Sequence, residues 1–177
     1  MCGIDFSGLE LRVLAHYLHI YDNGDFSQKL LEDDIHTINQ KATGLPTRDK
    51  AKTFIYALIY GCGNEKLAEI LKVDINEAKR IRQRFEASLP SLKTLTHTAK
   101  HKFRLVGYVK GIDGRLLIPR AEHSVLNTLI QSAGALLVKV GTTILNEDLH
   151  KNGFEWGKDY AMVLHVHDEM QFIVKPE

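Results

Sequence analysis

Short apolar segments lie near both ends of the sequence, and this arrangement limits the folds that the chain can adopt. Residues 2–6 are typical of a buried strand. Two further apolar segments, 160–166 and 170–174, flank His167-Asp168-Glu169 and predict a hairpin with acidic residues at its tip. Because so few strands need partners to bury their apolar faces, we expect all three to pair in one sheet. The sequence therefore predicts an α+β fold.

Signals for helices fill the region between these strands. Asp34, Thr47 and Asp74 each precede a helical pattern as an N-terminal cap. The predicted helices cover 7–19, 35–43, 48–60, 75–88, 91 to about 105, and about 121–151. Glycines and a proline in 106–119 predict loops and short strands. We expect the helices of 20–105 to form a lobe separate from the sheet.

Length and charge exclude several classes of protein. A chain of 177 residues suits one domain or two small lobes. Its 23 Lys and Arg against 22 Asp and Glu exclude a strongly basic coating protein and an acidic disordered tail, although a local basic stripe would suffice for nucleic acid. No run of 18 apolar residues occurs, so we expect no membrane span. Cys2 and Cys62 form no CxxC pair, which favours a reducing cytoplasm.

Three acidic residues adjoin the predicted strands. Asp5 ends the first strand, and Asp168 and Glu169 lie in the hairpin. If these strands are neighbours, Asp5 and Asp168 meet at one edge of the sheet. Converging carboxylates suit hard divalent cations such as Mg²⁺, and a pair of such ions can activate an attacking oxygen. The alternative is that Asp5 only ends a strand and Asp168 only forms a turn.

A second pattern lies on the helix predicted at 48–60. Arg48, Lys52, Tyr56 and Tyr60 recur every four residues, so they share a stripe about 120° wide. Two cations followed by two aromatic residues suit a nucleoside triphosphate, with phosphates at Arg48 and Lys52, the sugar at Tyr56 and the base near Tyr60. The alternative is an amphipathic helix with a charged first turn and core tyrosines.

Two polar features have both a functional and a structural interpretation. Asn127 and Gln131 lie one turn apart on the long helix, where such residues can bind acceptors in a DNA minor groove or simply form an exposed polar face. Ser7 and Glu10 match the S-x-x-E capping box. Alternatively, the Glu10 side chain lies against a bound sugar.

A competing hypothesis concerns the histidines of the hairpin. Strand alternation would place His165 and His167 on one face beside Asp168, as in part of a metal-dependent hydrolase site. The rest of a histidine-rich metal site is not recognisable in the sequence.

Taken in order, these segments resemble the polymerase domain of family A DNA polymerases. Asp5-Phe-Ser-Gly-Leu-Glu-Leu-Arg-Val-Leu-Ala-His16 resembles motif A of that family. Residues 48–61 match its motif B spacing, R-x3-K-x3-[FY]-x3-YG, and Val166-His-Asp-Glu169 resembles motif C. The segments Asp34-Ile-His36, Asp113-Gly-Arg115 and 126–134 follow the order of the family. Ser-Gly-Leu-Glu-Leu after Phe6 is most similar to the replicative polymerases of T-odd coliphages.

The resemblance implies a hand-like fold, with a small antiparallel palm sheet and a mostly helical fingers lobe. Residues 1–19 and about 113–177 would be palm, and about 20–112 would be fingers. The thumb and the exonuclease-like domain, which precede motif A in the family, are expected to be absent from these residues. A viral chain of this kind would act in the cytoplasm of its host, without a membrane.

The resemblance also implies a reaction, in which a primer 3′-hydroxyl attacks the α-phosphorus of a deoxynucleotide. Asp5 and Asp168 would bind two Mg²⁺ ions, for which Mn²⁺ can substitute, and Glu169 would be a supporting acid. The incoming nucleotide would contact Glu10, His36, Arg48, Lys52, Tyr56 and Tyr60. Primer–template DNA would contact Arg115, Asn127, Gln131 and His167. A processivity factor is a possible partner, and a non-catalytic DNA- or nucleotide-binding piece of a polymerase is the alternative function.

Overall fold

The computed structural model describes residues 1–175 and resolves the predicted mixture of helices and short strands in this part of the chain. The helices are α1 (Leu9–Asp22), α2 (Asp25–Glu32), α3 (Ile35–Thr43), α4 (Arg48–Ile59), α5 (Asn64–Leu71), α6 (Ile75–Ser88), α7 (Pro90–Val106) and α8 (Val125–Lys151). The strands are β1 (Cys2–Asp5), β2 (Val109–Lys110), β3 (Leu116–Leu117), β4 (Tyr160–Val166) and β5 (Glu169–Val174). A 3₁₀ turn at Glu122–Ser124 leads into α8.

The strands from the two ends of the chain pair in one antiparallel sheet, which confirms the α+β prediction. Strand β5 lies in the centre, between β1 and β4. The inner face of β5 carries Met170 and Phe172, which are buried with Tyr160 and pack against Leu145 and Leu149 of α8. Because side chains alternate along a strand, Glu169, Gln171 and Ile173 of β5 lie on the opposite, outer face. The two-residue strands β2 and β3 form a separate hairpin.

Most predicted helix starts are confirmed by their hydrogen bonds. The Thr47 hydroxyl accepts from the backbone N–H of Lys50 at 3.2 Å. The Asp74 carboxylate accepts from the N–H groups of Asn76 and Glu77 at 2.8 and 3.0 Å. Helix α7 begins at Pro90, one residue before its predicted start at 91, because the fixed φ of proline suits the first helical position.

The predicted capping box at the start of α1 is wrong. The helix begins at Leu9, and its N-cap residue is Gly8, which lies in the left-handed region at φ 62° and makes no side-chain capping hydrogen bond. Glycine adopts this conformation without steric strain. The helix therefore starts two residues beyond Ser7. The side chain of Glu10 is therefore free for another partner.

One buried apolar cluster runs through nearly all of the helices. The rings of Phe54 and Phe85 pack edge to face at the centre, 5.3 Å apart. The same cluster includes Leu14 of α1 and Ile130 of α8, which flank the predicted helical lobe in sequence. The helices of 20–105 therefore share their core with α1 and α8 rather than enclosing one of their own. The assignment of palm and fingers within this continuous core stays a prediction.

The long helix is half packed and half exposed. Its first half buries Val125, Leu129 and Ile130, whereas Val140 and Ile144 in the second half are exposed. The segment Glu122–Lys151 is long and apolar enough to cross a membrane by length and composition, which the count of consecutive apolar residues did not reveal. A single helix of this kind, packed at one end into a core, is weak support for a membrane span.

Candidate active site

The strand pairing brings the three predicted acidic residues to one end of the sheet. Asp5 pairs directly with Glu169 in the β1–β5 register. The backbone N–H of Phe6 donates to the carbonyl oxygen of Asp168 at 3.1 Å. Asp5 and Asp168 are therefore neighbours across the sheet although they lie near opposite ends of the chain. The expected meeting at the sheet edge is confirmed at the level of the backbone.

The side chains of Asp5 and Glu169 lie on the outer face of the sheet. Cross-strand partners point to the same face, so Asp5 and Glu169 lie opposite to the buried Met170. The amide Nε2 of Gln171 donates to Oε1 of Glu169 at 2.9 Å and orients that carboxylate. Asp5 and Glu169 are exposed and Asp168 is half-buried, so a ligand can approach them from solvent.

A tight turn presents Asp168. The hairpin between β4 and β5 has two central residues, His167 and Asp168, and His167 adopts a left-handed φ of 54°. Positive φ at the first central residue is typical of a type II′ turn, which usually carries glycine there. A histidine in this position is held at some conformational cost, and such positions concentrate at functional sites.

The donor set of this edge fits Mg²⁺ or Mn²⁺ in chemical type. Asp5, Asp168 and Glu169 offer carboxylate oxygens, which hard divalent cations prefer. Within residues 1–175, no group of three or more His, Cys, Asp or Glu side chains is arranged to hold a metal ion by itself. Carboxylates that do not complete a metal site by themselves can share an ion with the phosphates of a ligand.

The hairpin histidines do not form the predicted hydrolase site. Strand β4 ends at Val166, so His167 lies in the turn and not on the strand. A β-bulge at Val163 shifts the alternation, and His165 pairs with the buried Met170 on the inner face of the sheet. There His165 lines a cavity of about 380 Å³ beside α8. The interpretation that placed both histidines beside Asp168 on one face is wrong.

Helix α4 carries the predicted cation and tyrosine stripe. Its inner face buries Ala51, Phe54, Ile55 and Ile59. Lys52 lies on the other side and is exposed, Tyr56 is half-buried, and Tyr60 caps the helix end. Tyr56 packs against the edge of this core, whereas Tyr60 is exposed.

Arg48 has a partner that the sequence did not suggest. Its Nε lies 2.6 Å from Oδ2 of Asp34, and its Nη2 lies 3.0 Å from Oδ1, which makes a two-pronged ion pair. The same carboxylate accepts from the N–H of His36 at 3.2 Å and caps α3. The guanidinium of Arg48 holds the pKa of Asp34 well below its usual range. The sequence analysis identified Asp34 as a cap and as part of the segment Asp34-Ile-His36, but not as a partner of Arg48.

His36 lies buried behind this ion pair. Its ring centroid is 6.3 Å from that of Tyr56. Burial lowers the pKa of His36, and the positive charges of Arg48 and Lys52 lower it further, against an opposing effect from Asp34. Its Nδ1 atom is buried without a partner within the described residues. The structure thus brings His36, Arg48, Lys52 and Tyr56 into one neighbourhood.

Tyr60 joins three helices at the groove beside the acidic turn. Its hydroxyl donates to Oε1 of Glu10 at 3.0 Å, and Nε2 of Gln131 donates to the same hydroxyl at 3.5 Å. Burial raises the pKa of Tyr60, and the hydrogen bond that it donates to Glu10 and the negative charge of Glu10 raise it further. A small cavity of about 90 Å³ next to this contact is lined by Glu10, Gln131, His167 and Asp168.

The other predicted DNA contacts lie along or beside α8. Arg115 forms an ion pair with Asp113 at 2.5 Å and its Nη2 lies 3.4 Å from the Ser132 hydroxyl. Asn127 is half-buried, and its Oδ1 has no hydrogen-bond partner within the described residues. Gln131, one turn on, is the member of this set that adjoins the tyrosine and acidic groups.

Known proteins resemble this chain over nearly all of its length. The sequence profile of DNA polymerase family A matches residues 1–177. The DNA-directed DNA polymerase of Enterobacteria phage T3 is 39% identical over 99% of this chain and 27% of its own length. That of Escherichia phage T7 is 40% identical over 96% of this chain and 26% of its own length. The chain thus spans about a quarter of the length of these relatives.

A solved structure shows the same fold. It is the POL domain of Pol1 from M. smegmatis, in complex with DNA primer-template and dNTP. The two chains superpose with a TM-score of 0.82 at 25% identity, over 97% of this chain and 33% of the other.

Proposed function

This chain belongs to DNA polymerase family A, and from that premise we propose that it supplies the catalytic centre of a template-directed DNA polymerase. The observation that carries the proposal is that Tyr60, Glu10 and Gln131 meet beside Asp168, the half-buried acid at the end of the sheet. Glu10 and Gln131, which bond to Tyr60, thus line one groove together with Asp168, one of the carboxylates suited to a metal.

In the proposed reaction, a primer 3′-hydroxyl attacks the α-phosphorus of a deoxynucleoside triphosphate and pyrophosphate leaves. Asp5 and Asp168 would hold two divalent cations, with Glu169 as a supporting acid. Those ions, when bound, would supply charge neutralisation at the attacking and leaving oxygens. The protein would contribute to catalysis by positioning the reacting groups and stabilising their charge, and it would form no covalent bond to them.

The side chains of α4 would position the triphosphate. Lys52, which forms no salt bridge within residues 1–175, would contact the phosphates as a point charge. Arg48 would join it by exchanging Asp34 for a phosphate. Neutral His36 would donate a hydrogen bond without adding charge. Tyr56 and Glu10 would lie against the sugar, and Tyr60 near the base pair.

Primer–template DNA would run past α8. Asn127 and Gln131 present neutral amide groups, which can bind the minor-groove acceptors that all base pairs share. Arg115 and His167 would contact the primer or the template strand. A processivity factor and a location in the cytoplasm of a host cell are further expectations of this proposal.

The experiment is primer extension with a chimera. Residues 1–175 replace the matching segment of the Escherichia phage T7 polymerase, which is 40% identical. We expect template-dependent extension in Mg²⁺ that Lys52→Ala weakens through a higher requirement for nucleotide, while primer–template affinity stays within about twofold. Lys41→Ala, on another helix, is the matched control. A chimera that binds DNA but never extends a primer would overturn the proposal.

A second candidate function is a DNA- or nucleotide-binding piece that is inactive without other segments. The observation in its favour is that Arg48 is engaged by Asp34 and not open to a phosphate. Primer extension by the 177-residue chain alone separates the two functions. Nucleotide binding without extension by this chain, combined with extension by the chimera, would support the second.

A further inference from the structure

Helix α7 carries two histidines one turn apart, and the proposed catalytic centre uses neither of them. His97 and His101 are four residues apart, so their side chains share one face of the helix. Both side chains are exposed, whereas the opposite face of α7 is buried through Leu92, Leu95 and Ala99. The two imidazole rings therefore face solvent side by side.

The rings of this histidine pair lie parallel to each other. Their planes differ by 3° and their centroids are 6.4 Å apart. A metal ion that bonds one nitrogen of each ring at about 2.0–2.1 Å requires the two nitrogens to lie within about 4 Å of each other. Because both side chains are exposed, rotations about their χ angles can bring two ring nitrogens to this separation. Two histidines at this spacing on one helical face are also the zinc ligands of the H-E-x-x-H motif.

The surroundings of the pair decide which metals it can bind. No Asp or Glu occurs in the α7 sequence, so Mg²⁺ and Ca²⁺ lack the carboxylate oxygens that they prefer. Glu122, from the 3₁₀ turn, is engaged by Arg104 of α7 at 3.2 Å. Lys93 and Lys100 lie on the same side of the helix as the pair and oppose any cation that is held by charge alone. Neutral imidazole, by contrast, forms bonds to Zn²⁺, Ni²⁺ and Cu²⁺.

Two protein ligands leave coordination positions open. Among the residues that the structure describes, no group of three or more His, Cys, Asp or Glu side chains is placed to hold a metal ion. Zinc in proteins is usually four-coordinate, so water or a small anion would fill the remaining two positions. We therefore expect a site that exchanges its metal with solvent and binds it less tightly than a structural zinc centre does.

We propose that His97 and His101 form a binding site for a divalent transition metal, with Zn²⁺ as the type ion, on the exposed face of α7. The bound ion joins residues four apart and so closes one turn of the helix. Because the other face of that turn packs into the core through Leu95 and Ala99, an ion bound here stabilises the folded chain. The site lies on a helix that carries none of the proposed catalytic residues, so the proposal does not depend on the proposed function.

The test measures Zn²⁺ binding to the full 177-residue chain by isothermal titration calorimetry in excess Mg²⁺. Mg²⁺ competes for carboxylates such as Asp5 and Asp168, but it should not displace a metal from imidazole. We expect His97→Gln and His101→Gln each to raise the Kd of one Zn²⁺ by about tenfold or more, since either change turns a two-point attachment into one. Other Zn²⁺ sites, such as the exposed Cys2, are common to all variants and cancel in the comparison.

The double variant and an exchange variant are the controls. His97→Gln with His101→Gln should lose no more affinity than either single change, because one lost ligand already destroys the chelate. His101→Lys with Lys102→His keeps the composition and the net charge, and both positions are exposed. It places the second histidine about 140° around the helix from His97, so it should bind as weakly as His97→Gln. Wild-type affinity in the exchange variant, or losses that add in the double variant, would overturn the proposal.

Two further measurements use stability and the wild-type chain. Zn²⁺ should raise the unfolding temperature of the wild-type chain more than that of the exchange variant, and equal shifts would contradict the proposal. Circular dichroism without metal checks that the variants are folded. If they are not, diethylpyrocarbonate labelling of the wild-type chain gives the answer. Zn²⁺ should protect His97 and His101 and leave His150, an exposed histidine of α8, reactive. Equal labelling of His97 and His101 with and without Zn²⁺ would overturn the proposal.

Discussion

The hydroxyl of Tyr60 donates a 3.0 Å hydrogen bond to the carboxylate of Glu10, which ties the end of α4 to the first turn of α1. Burial of the phenol and the neighbouring negative charge both favour its protonated form and raise the pKa of Tyr60. The stabilisation from this contact is therefore complete below the ordinary tyrosine pKa of about 10 and is lost as the pH rises through the pKa of the folded protein.

We expect Glu10→Gln to lower the pKa of Tyr60 towards its ordinary value, because the substitution removes the negative charge. Absorbance at 295 nm during an alkaline titration measures tyrosine ionisation, and Tyr60→Phe in each background identifies the contribution of Tyr60. Glu32→Gln, an exposed residue on α2, is the control and should leave the titration unchanged. A Tyr60 pKa that does not respond to Glu10→Gln would show that the hydrogen bond is absent in solution.

His36 should titrate below the ordinary histidine value of about 6.5, because burial and nearby cations disfavour its charged form. Its contribution to stability is then present above pH 6.5 and is lost as the pH falls through the lowered pKa. Lys52→Met should raise the pKa of His36, whereas Lys50→Met, which removes a lysine bonded to the Leu71 carbonyl, should not. The NMR shift of the imidazole carbon-bound protons, assigned with His36→Gln, measures both effects.

Asp5→Ala and Asp168→Ala should each reduce primer extension by the phage chimera below a tenth of the unsubstituted rate, because each removes a carboxylate that the proposed metal site needs. Primer–template affinity should change little. Asp33→Ala, at the exposed end of α2, is the control. Retention of more than a tenth of the rate by either variant would refute the metal assignment.

Tyr56→Phe should lower the use of dideoxynucleotides relative to deoxynucleotides. The resemblance to family A implies that tyrosine at this position accepts a sugar without a 3′-hydroxyl, since the phenol can fill that space and restore a polar contact. Glu10→Ala should raise ribonucleotide use and lower the overall rate, because it opens room for a 2′-hydroxyl. Values of kcat/KM for the three sugar types in the chimera measure both effects. An unchanged dideoxy to deoxy ratio would leave Tyr56 a packing residue.

Gly61→Ala should reduce the free energy of unfolding by about 1–3 kcal/mol. Gly61 has a φ of 76°, and an added Cβ would lie 2.6 Å from the carbonyl oxygen of His123. Gly63 is the matched control, because its φ is −72° and no atom lies within 4 Å of an added Cβ. Urea unfolding measures the free energy of unfolding of Gly61→Ala and of Gly63→Ala. Equal values would show that the chain relaxes around residue 61.

Local signals in the sequence were sufficient for much of the fold. Thr47 and Asp74 act on backbone groups two or three residues away, so the starts of α4 and α6 follow from a few adjacent residues. Helices α2 and α5 have eight residues each and begin after glycines without side-chain caps, and the sequence did not separate them from their neighbours. Propensity is a weak signal over such short stretches.

The contacts within the site were harder to predict, because they depend on packing between elements. The ion pair of Arg48 with Asp34 exists only because α3 packs against α4. Likewise, the sequence left two interpretations of Glu10, as a capping-box residue or as a contact to a bound sugar. The left-handed conformation of Gly8 excludes the first. The inward position of His165 requires the bulge in β4, and no residue type in this strand predicts a bulge.

The pairing of β1 with β5 has a consequence for the order in which this protein acquires its structure. Hydrogen bonds within helices form between near neighbours, whereas Asp5 and Glu169 meet only after almost the whole chain has been closed into a loop. During synthesis, the helices can therefore collapse while the acidic hairpin is still inside the ribosome. We expect the carboxylate edge to be the last part of the molecule to form, and slow maturation of that edge to delay metal binding behind the gain of helical circular dichroism.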